Sequence, residues 1–258
     1  MHDGCESRVH KRCWAIGIAV LALFGVQASA ATEPAEALVA TDAPFVCAKV
    51  VLAIDGSKST GDGAFHRQVR AFHAAFGNER LYHAIQDCLP GSVAFAVMTW
   101  SGPNQHDLCL DWSIVTGRDD AQRLAGRFER CRYFGGSTDI GRAVDYGLRV
   151  LKSSPFASFY RSVLVLTNGR TDRGAEGSLA AARAEAAETA VTLVAYALLP
   201  PQPNDPSPFF VPDAIPLESY VADHVSAGPR AFTAHSRPGD DIDALLRALA
   251  ELLRQEAS

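Results

Sequence analysis

The sequence contains no C-x-x-C pair, no H-E-x-x-H, no G-x-x-x-x-G-K-[ST] and no G-x-S-x-G, and each absence removes a chemistry. Without paired cysteines the usual zinc and thiol-redox signatures are missing. Without H-E-x-x-H there is no zinc-peptidase helix, and without the glycine-lysine loop no run of amides wraps a nucleotide phosphate. Lacking G-x-S-x-G, the chain has no nucleophile elbow. Positive charge is also short: 24 Lys and Arg stand against 29 Asp and Glu, a net charge of −5, which weighs against a nucleic-acid partner. No run reaches the ~20 apolar residues that span a bilayer, an N-terminal stretch coming nearest. Internal repeats and low-complexity tracts are absent as well.

What is present is ordinary globular composition, 48% hydrophobic and 21% charged over 258 residues, enough for one large core. Residues 1–30 read separately. Basic residues at 10–12 precede an apolar stretch and an Ala28-x-Ala30 site, the pattern of a cleaved signal peptide. The apolar stretch at 14–26 falls short of the ~20 residues a span requires, so a retained anchor is the weaker alternative. Residues 31–44 are read as a flexible leader. Cleavage removes three basic and two acidic residues, leaving 21 and 27 and a charge of −6. Four of the six cysteines remain, Cys47, Cys88, Cys109 and Cys131; this even number suits an oxidising, periplasmic or secreted setting better than metal binding.

Hydrophobic patterning predicts strands at 46–54, 93–100, 108–115, 161–167 and 192–198, with a weak one at 231–234. Helices are predicted at 64–86, 119–130, 140–152, 178–190 and 240–255. The alternation implies a doubly wound, mostly parallel α/β sheet with helices on both faces. "SGPNQHD" is too short for a crossover helix, so the third strand is antiparallel and placed at an edge. The proline-rich stretch 200–216 is read as a surface loop, with Phe209 and Phe210 either exposed as a contact patch or tucked against the sheet.

In such a sheet ligands gather at the carboxyl ends of the strands. Three unusual turns are predicted to meet there: "DGSKST" after the first strand, "GGSTD" before the helix at 140, and "TNGRTD" after the strand ending at Thr167. In the first, an aspartyl-phosphate enzyme of the haloacid dehalogenase type would need a second Asp where Ser57 stands. His66 and His73 fall on one helix, seven residues apart, and are read as a solvated face. Asp55, Ser57 and Ser59 alternate, so an extended turn aims a carboxylate and two hydroxyls to one side. Those are hard oxygen donors of the kind Mg²⁺ prefers, and Thr138 can supply another. The alternative is that these residues are only turn formers and helix caps.

The D-x-S-x-S of Asp55 to Ser59, the threonine turn "FGGSTDIGRAV" and the strand and turn "VLVLTNGRTD" resemble von Willebrand factor type A (vWA) domains over roughly residues 45–256. "WSGP" and "FGGSTDI" look most like a secreted bacterial subgroup of that family. The resemblance implies a metal-ion-dependent adhesion site holding Mg²⁺, or Mn²⁺ or Ca²⁺. Ser57, Ser59 and Thr138 would bind it directly or through water, with Asp55 mostly behind them. A carboxylate on a protein partner would complete the shell, and no reaction would be catalysed. The family usually places Asp where this chain has Asn168, which removes one negative charge; Asp139 and Asp172 are near enough in sequence to compensate. Two other outcomes are kept open: a metal-assisted hydrolase using the same rim, disfavoured by the lack of a positioned base, and a metal-free scaffold.

From the predicted topology, Cys47 and Cys88 share the bottom of the sheet and Cys109 and Cys131 the top. This favours Cys47–Cys88 and Cys109–Cys131 among the three possible pairings, with buried free thiols as the alternative.

Overall fold

The structure, a computed structural model, describes residues 43–199 and 215–257. The segment predicted as a signal peptide, most of the predicted leader and residues 200–214, with Phe209 and Phe210, lie outside them. Strand β1 (Phe45–Asp55) is buried at every residue after the first, as a strand covered on both faces must be. It pairs in parallel with β2 (Val93–Trp100) on one side and β4 (Ala157–Thr167) on the other. β3 (His106–Val115) runs antiparallel to β2 at one edge, as its short connection requires. Strands β5 (Thr192–Leu198) and β6 (Thr233–Ser236) extend the sheet in parallel, giving the order β3-β2-β1-β4-β5-β6.

Strand alternation divides the core in two. Val50, Leu52 and Ile54 face a cluster built with α1 (Gly61–Phe76), α2 (Glu79–Asp87), α3 (Arg118–Ala125) and α7 (Asp241–Ala257). Val51 and Ala53 face a second cluster built with α4 (Ile140–Lys152), α5 (Glu176–Glu188) and α6 (Leu217–His224). Chain direction across the sheet reverses between β1 and β4, and the crevice at their carboxyl ends is where a doubly wound fold accommodates a ligand.

Strand β4 begins before the predicted 161 and β6 is displaced from the predicted 231–234, and three helical elements differ more from the sequence-based expectation. The helix predicted over 64–86 is two helices, because Gly77 closes α1 while the Asn78 side chain accepts from Arg80 N and starts α2. The helix predicted over 119–130 ends at Gly126, and Phe128–Arg130 continue as a 3-10 turn. Helix α6 was not anticipated: it is eight residues long and buries only Tyr220 and Val221, too little periodicity to show in sequence.

Both disulfides have the expected connectivity. Cys47–Cys88 lies at the bottom of the sheet, where Cys47 N donates to Ser92 O. Cys109–Cys131 joins β3 to the segment that leads into the rim turn at Gly135 to Thr138. Among the described residues, no helix is long and apolar enough to cross a membrane.

Candidate functional site

Asp55 is the last residue of β1 and is fully buried. One carboxylate oxygen, Oδ1, accepts from Ser57 N at 2.8 Å, and the other, Oδ2, accepts from Asn168 N at 3.2 Å. Burial pushes the Asp55 pKa up, and the hydrogen bonds from Ser57, Asn168 and Thr60 oppose that shift. The carboxylate therefore sits beneath the rim and holds two turns in place with its own lone pairs.

Above it, the side chains form a connected row. Ser57 Oγ and Ser59 Oγ are 3.0 Å apart, and Ser59 Oγ donates to Asn168 Oδ1 at 3.0 Å. Either hydroxyl can donate across the Ser57–Ser59 contact. Thr60, buried behind the turn, also donates to Asn168 Oδ1, at 3.1 Å. Asn168 thus brings the end of β4 against the turn that follows β1.

The second turn is joined through its backbone. Ser57 forms an isolated parallel bridge with Gly136, and Lys58 N donates to Gly136 O at 2.7 Å. Gly136 lets the Gln105 side chain and Ser101 Oγ pack close to its Cα, and an added Cβ would require the Gln105 side chain to move. Thr138, two residues on, is buried. Its N–H donates to Asp172 Oδ2 at 2.9 Å, while its carbonyl accepts from Asp172 N at 2.8 Å. Asp172 therefore orients the threonine turn. Asp139 caps α4, accepting at Oδ1 from Arg142 N and Ser178 Oγ, both at 3.0 Å.

Of the residues singled out from sequence, Asp55, Ser57, Ser59 and Asn168 are linked directly, and Thr138 reaches the same rim through the Ser57–Gly136 bridge. Two contributors were missed. Thr60 directly follows the D-x-S-x-S pattern, and that adjacency was the available signal. Gln68, on the inward face of α1, donates from Nε2 to Asp55 O at 3.0 Å; a buried Gln on an apolar helix face was its only mark.

The donor set is all oxygen. Among the described residues there is no group of three or more His, Cys, Asp or Glu that could hold a metal. Neighbouring ligands on an octahedron with bonds of about 2.0–2.1 Å lie roughly 3 Å apart. The Ser57–Ser59 and Ser59–Asn168 separations, each 3.0 Å, are hydrogen bonds whose length is also compatible with that edge.

Comparison with known proteins agrees with this architecture. BatB from Bacteroides thetaiotaomicron, a conserved hypothetical protein, is similar at 14% identity over 82% of this chain and 100% of that one, with a TM-score of 0.53. The pilus adhesin SpaC from Lactobacillus rhamnosus GG is similar at 12% identity over 82% of this chain, with a TM-score of 0.52; the match spans only 31% of the adhesin. The vWF domain of the type V pili tip protein Mfa5 from Porphyromonas gingivalis is similar at 10% identity, covering 83% and 97% of the two chains, with a TM-score of 0.50. At these identities the likeness concerns the fold. No curated protein gives a significant sequence match. A family model described as "Protein of unknown function (DUF1194)" matches residues 46–256, so the chain belongs to that family, and its fold is that of a vWA domain.

Proposed function

We propose that the domain is a non-enzymatic binding module that recognises an acidic group on a protein partner through a divalent cation, Mg²⁺ or a similar ion, at the carboxyl-end rim. Ser57, Ser59 and Thr138 would hold the ion, with Asn168 beside them and Asp55 beneath. The observation that carries this reading is the row of oxygens from Ser57 Oγ through Ser59 Oγ to Asn168 Oδ1, with both steps at 3.0 Å. A bound cation there would supply the positive charge that a partner carboxylate seeks. With Asn168 in place of a carboxylate, the protein neutralises less of that charge. Metal affinity falls, while attraction for the partner's carboxylate rises.

Adhesin and pilus-tip proteins among the structural relatives support a role in protein contacts. The two disulfides support a periplasmic or secreted setting, in line with the N-terminal signal pattern. The hydrolase alternative would need a positioned base, and among the described residues no histidine hydrogen-bonds to the row of oxygens.

One observation favours a second reading, a rim that works without metal. Asn168 Oδ1 already accepts from both Ser59 and Thr60, so the hydroxyl row is satisfied by itself. Calorimetric titration of the chelator-stripped protein with Mg²⁺ and Mn²⁺ separates the two. The cation reading expects binding that Ser57→Ala abolishes and Asn168→Asp tightens by about tenfold or more, one added charge contact being worth roughly 1.5–3 kcal/mol. Wild-type protein that binds neither ion, with binding created by Asn168→Asp, establishes the metal-free rim.

A further inference from the structure

Asn168 is followed by Gly169, and it is the only one of the four asparagines in the chain with a glycine after it. We infer that Asn168 is a self-modification site, whose side-chain amide is lost by intramolecular attack of the Gly169 nitrogen and replaced by a carboxylate. In the first step the Gly169 nitrogen bonds to Asn168 Cγ as the Cγ–Nδ2 bond breaks. The Gly169 amide proton leaves with Nδ2 as ammonia, and a five-membered imide remains. Water then opens the ring. Addition at Cγ breaks the new bond, returns a proton to the Gly169 nitrogen and leaves aspartate at 168. Addition at the main-chain carbonyl gives the isoaspartyl linkage instead.

Three features of the surroundings bear on the first step. Ser59 Oγ and Thr60 Oγ1 both donate to Oδ1, at 3.0 and 3.1 Å, where negative charge develops as the carbon becomes tetrahedral. The nucleophilic nitrogen lies just past the last β4–β5 pair, Thr167 with Ala197, and is not held in the ladder. Its N–H donates to the Thr167 hydroxyl at 3.3 Å. The leaving nitrogen, Nδ2, has no hydrogen-bond partner among the described residues, and the half-buried side chain is open to the water the second step consumes.

The consequence rests on the cation reading above: conversion would supply the second carboxylate at the rim and raise its metal affinity with time. The modification itself does not depend on that reading.

The experiment is a time course of peptide mapping by mass spectrometry on the purified full chain, held in mildly alkaline buffer without metal. The expected result is a gain of about one dalton on the peptide carrying Asn168, as an amide becomes an acid. It should accumulate several-fold faster than at Asn78 or Asn104, with aspartate among the products. Gly169→Ala should slow it several-fold by crowding the nitrogen. That variant should fold, because an added Cβ meets only Ser59 Oγ, at 3.8 Å. Thr60→Ala should slow it by up to about tenfold, below the 10²–10³ of a fully buried oxyanion donor. Conversion no faster than at Asn78 and Asn104, conversion indifferent to Gly169→Ala, or isoaspartate as the sole product overturns the proposal. Converted and unconverted protein of equal Mg²⁺ affinity leaves the modification standing and defeats the cation reading instead.

Discussion

The Asn168 N–H reaches across 3.2 Å to Asp55 Oδ2, so the ends of β1 and β4 are tied by a buried carboxylate where ladder pairing has already stopped, at Ala53 and Val165. The rim is an extension of the sheet built from side chains. One of the groups that hold it, the Asp55 carboxyl, titrates.

Burial raises the Asp55 pKa, so the folded chain holds that proton more tightly than the unfolded chain does. From the ordinary carboxyl value near 4 up to the raised one, the native state binds more protons, and stability falls as pH rises. Asp55→Asn should remove this component and flatten the dependence. It should also cost about 1–3 kcal/mol at neutral pH, because an amide cannot accept from both Ser57 N and Asn168 N. Urea midpoints of the two proteins across acid to neutral pH check both parts. Parallel slopes would contradict the first.

Gly141 lies in the first turn of α4, where a helix ordinarily gains up to ~1 kcal/mol from Gly→Ala. Here the sign should reverse. An added Cβ would overlap Leu179 N and Ser178 Oγ at the start of α5. Moving α5 away should destabilise the protein by about 1–3 kcal/mol and loosen the Ser178–Asp139 contact beside Thr138. Thermal unfolding of Gly141→Ala measures the first effect.

The disulfides close loops of different length, with sequence separations of 41 and 22. In the chain-entropy picture, losing Cys47–Cys88 costs about 4 kcal/mol and losing Cys109–Cys131 about 3 kcal/mol. Access runs the other way, because Cys109 is partly exposed while Cys47 and Cys88 are buried. Mild thiol should therefore reduce Cys109–Cys131 first, as read by timed alkylation. Denaturant midpoints of the paired Cys→Ala variants should rank by loop length.

Thr99 in β2 is fully buried, and its hydroxyl has no hydrogen-bond partner among the described residues. Thr99→Val keeps the branched shape a strand prefers and removes the unpaired oxygen. A gain of about 1 kcal/mol is expected by chemical denaturation. A loss would reveal a partner for that hydroxyl, such as a bound water.

Most of the fold was legible because burial on both faces writes long apolar runs into the central strands, as in "VVLAID" and "VLVLT". The edge position of β3 followed from a connection too short to cross over. Helix α6 and the break at Gly77 and Asn78 were not legible. The first buries too few residues to leave a period, and the second is two local caps inside an otherwise continuous apolar pattern.

At the site, the residue types and order of Asp55, Ser57 and Ser59 were legible in the sequence, but the segment is a hydrogen-bonded turn, with Thr60 N donating to Ser57 O at 3.1 Å, and not the extended one that period two assumes. The cysteine pairing followed from topology. The work of the other carboxylates was decided only by the tertiary structure. Asp139 caps a helix and Asp172 orients the threonine turn, since each is held by partners 34 to 39 residues distant as well as by near ones. Likewise, only folding set Thr60, Ser59 and Asp55 around Asn168, about 110 residues further along the chain, because hydrogen bonds depend on distance in space and local spacing cannot encode them.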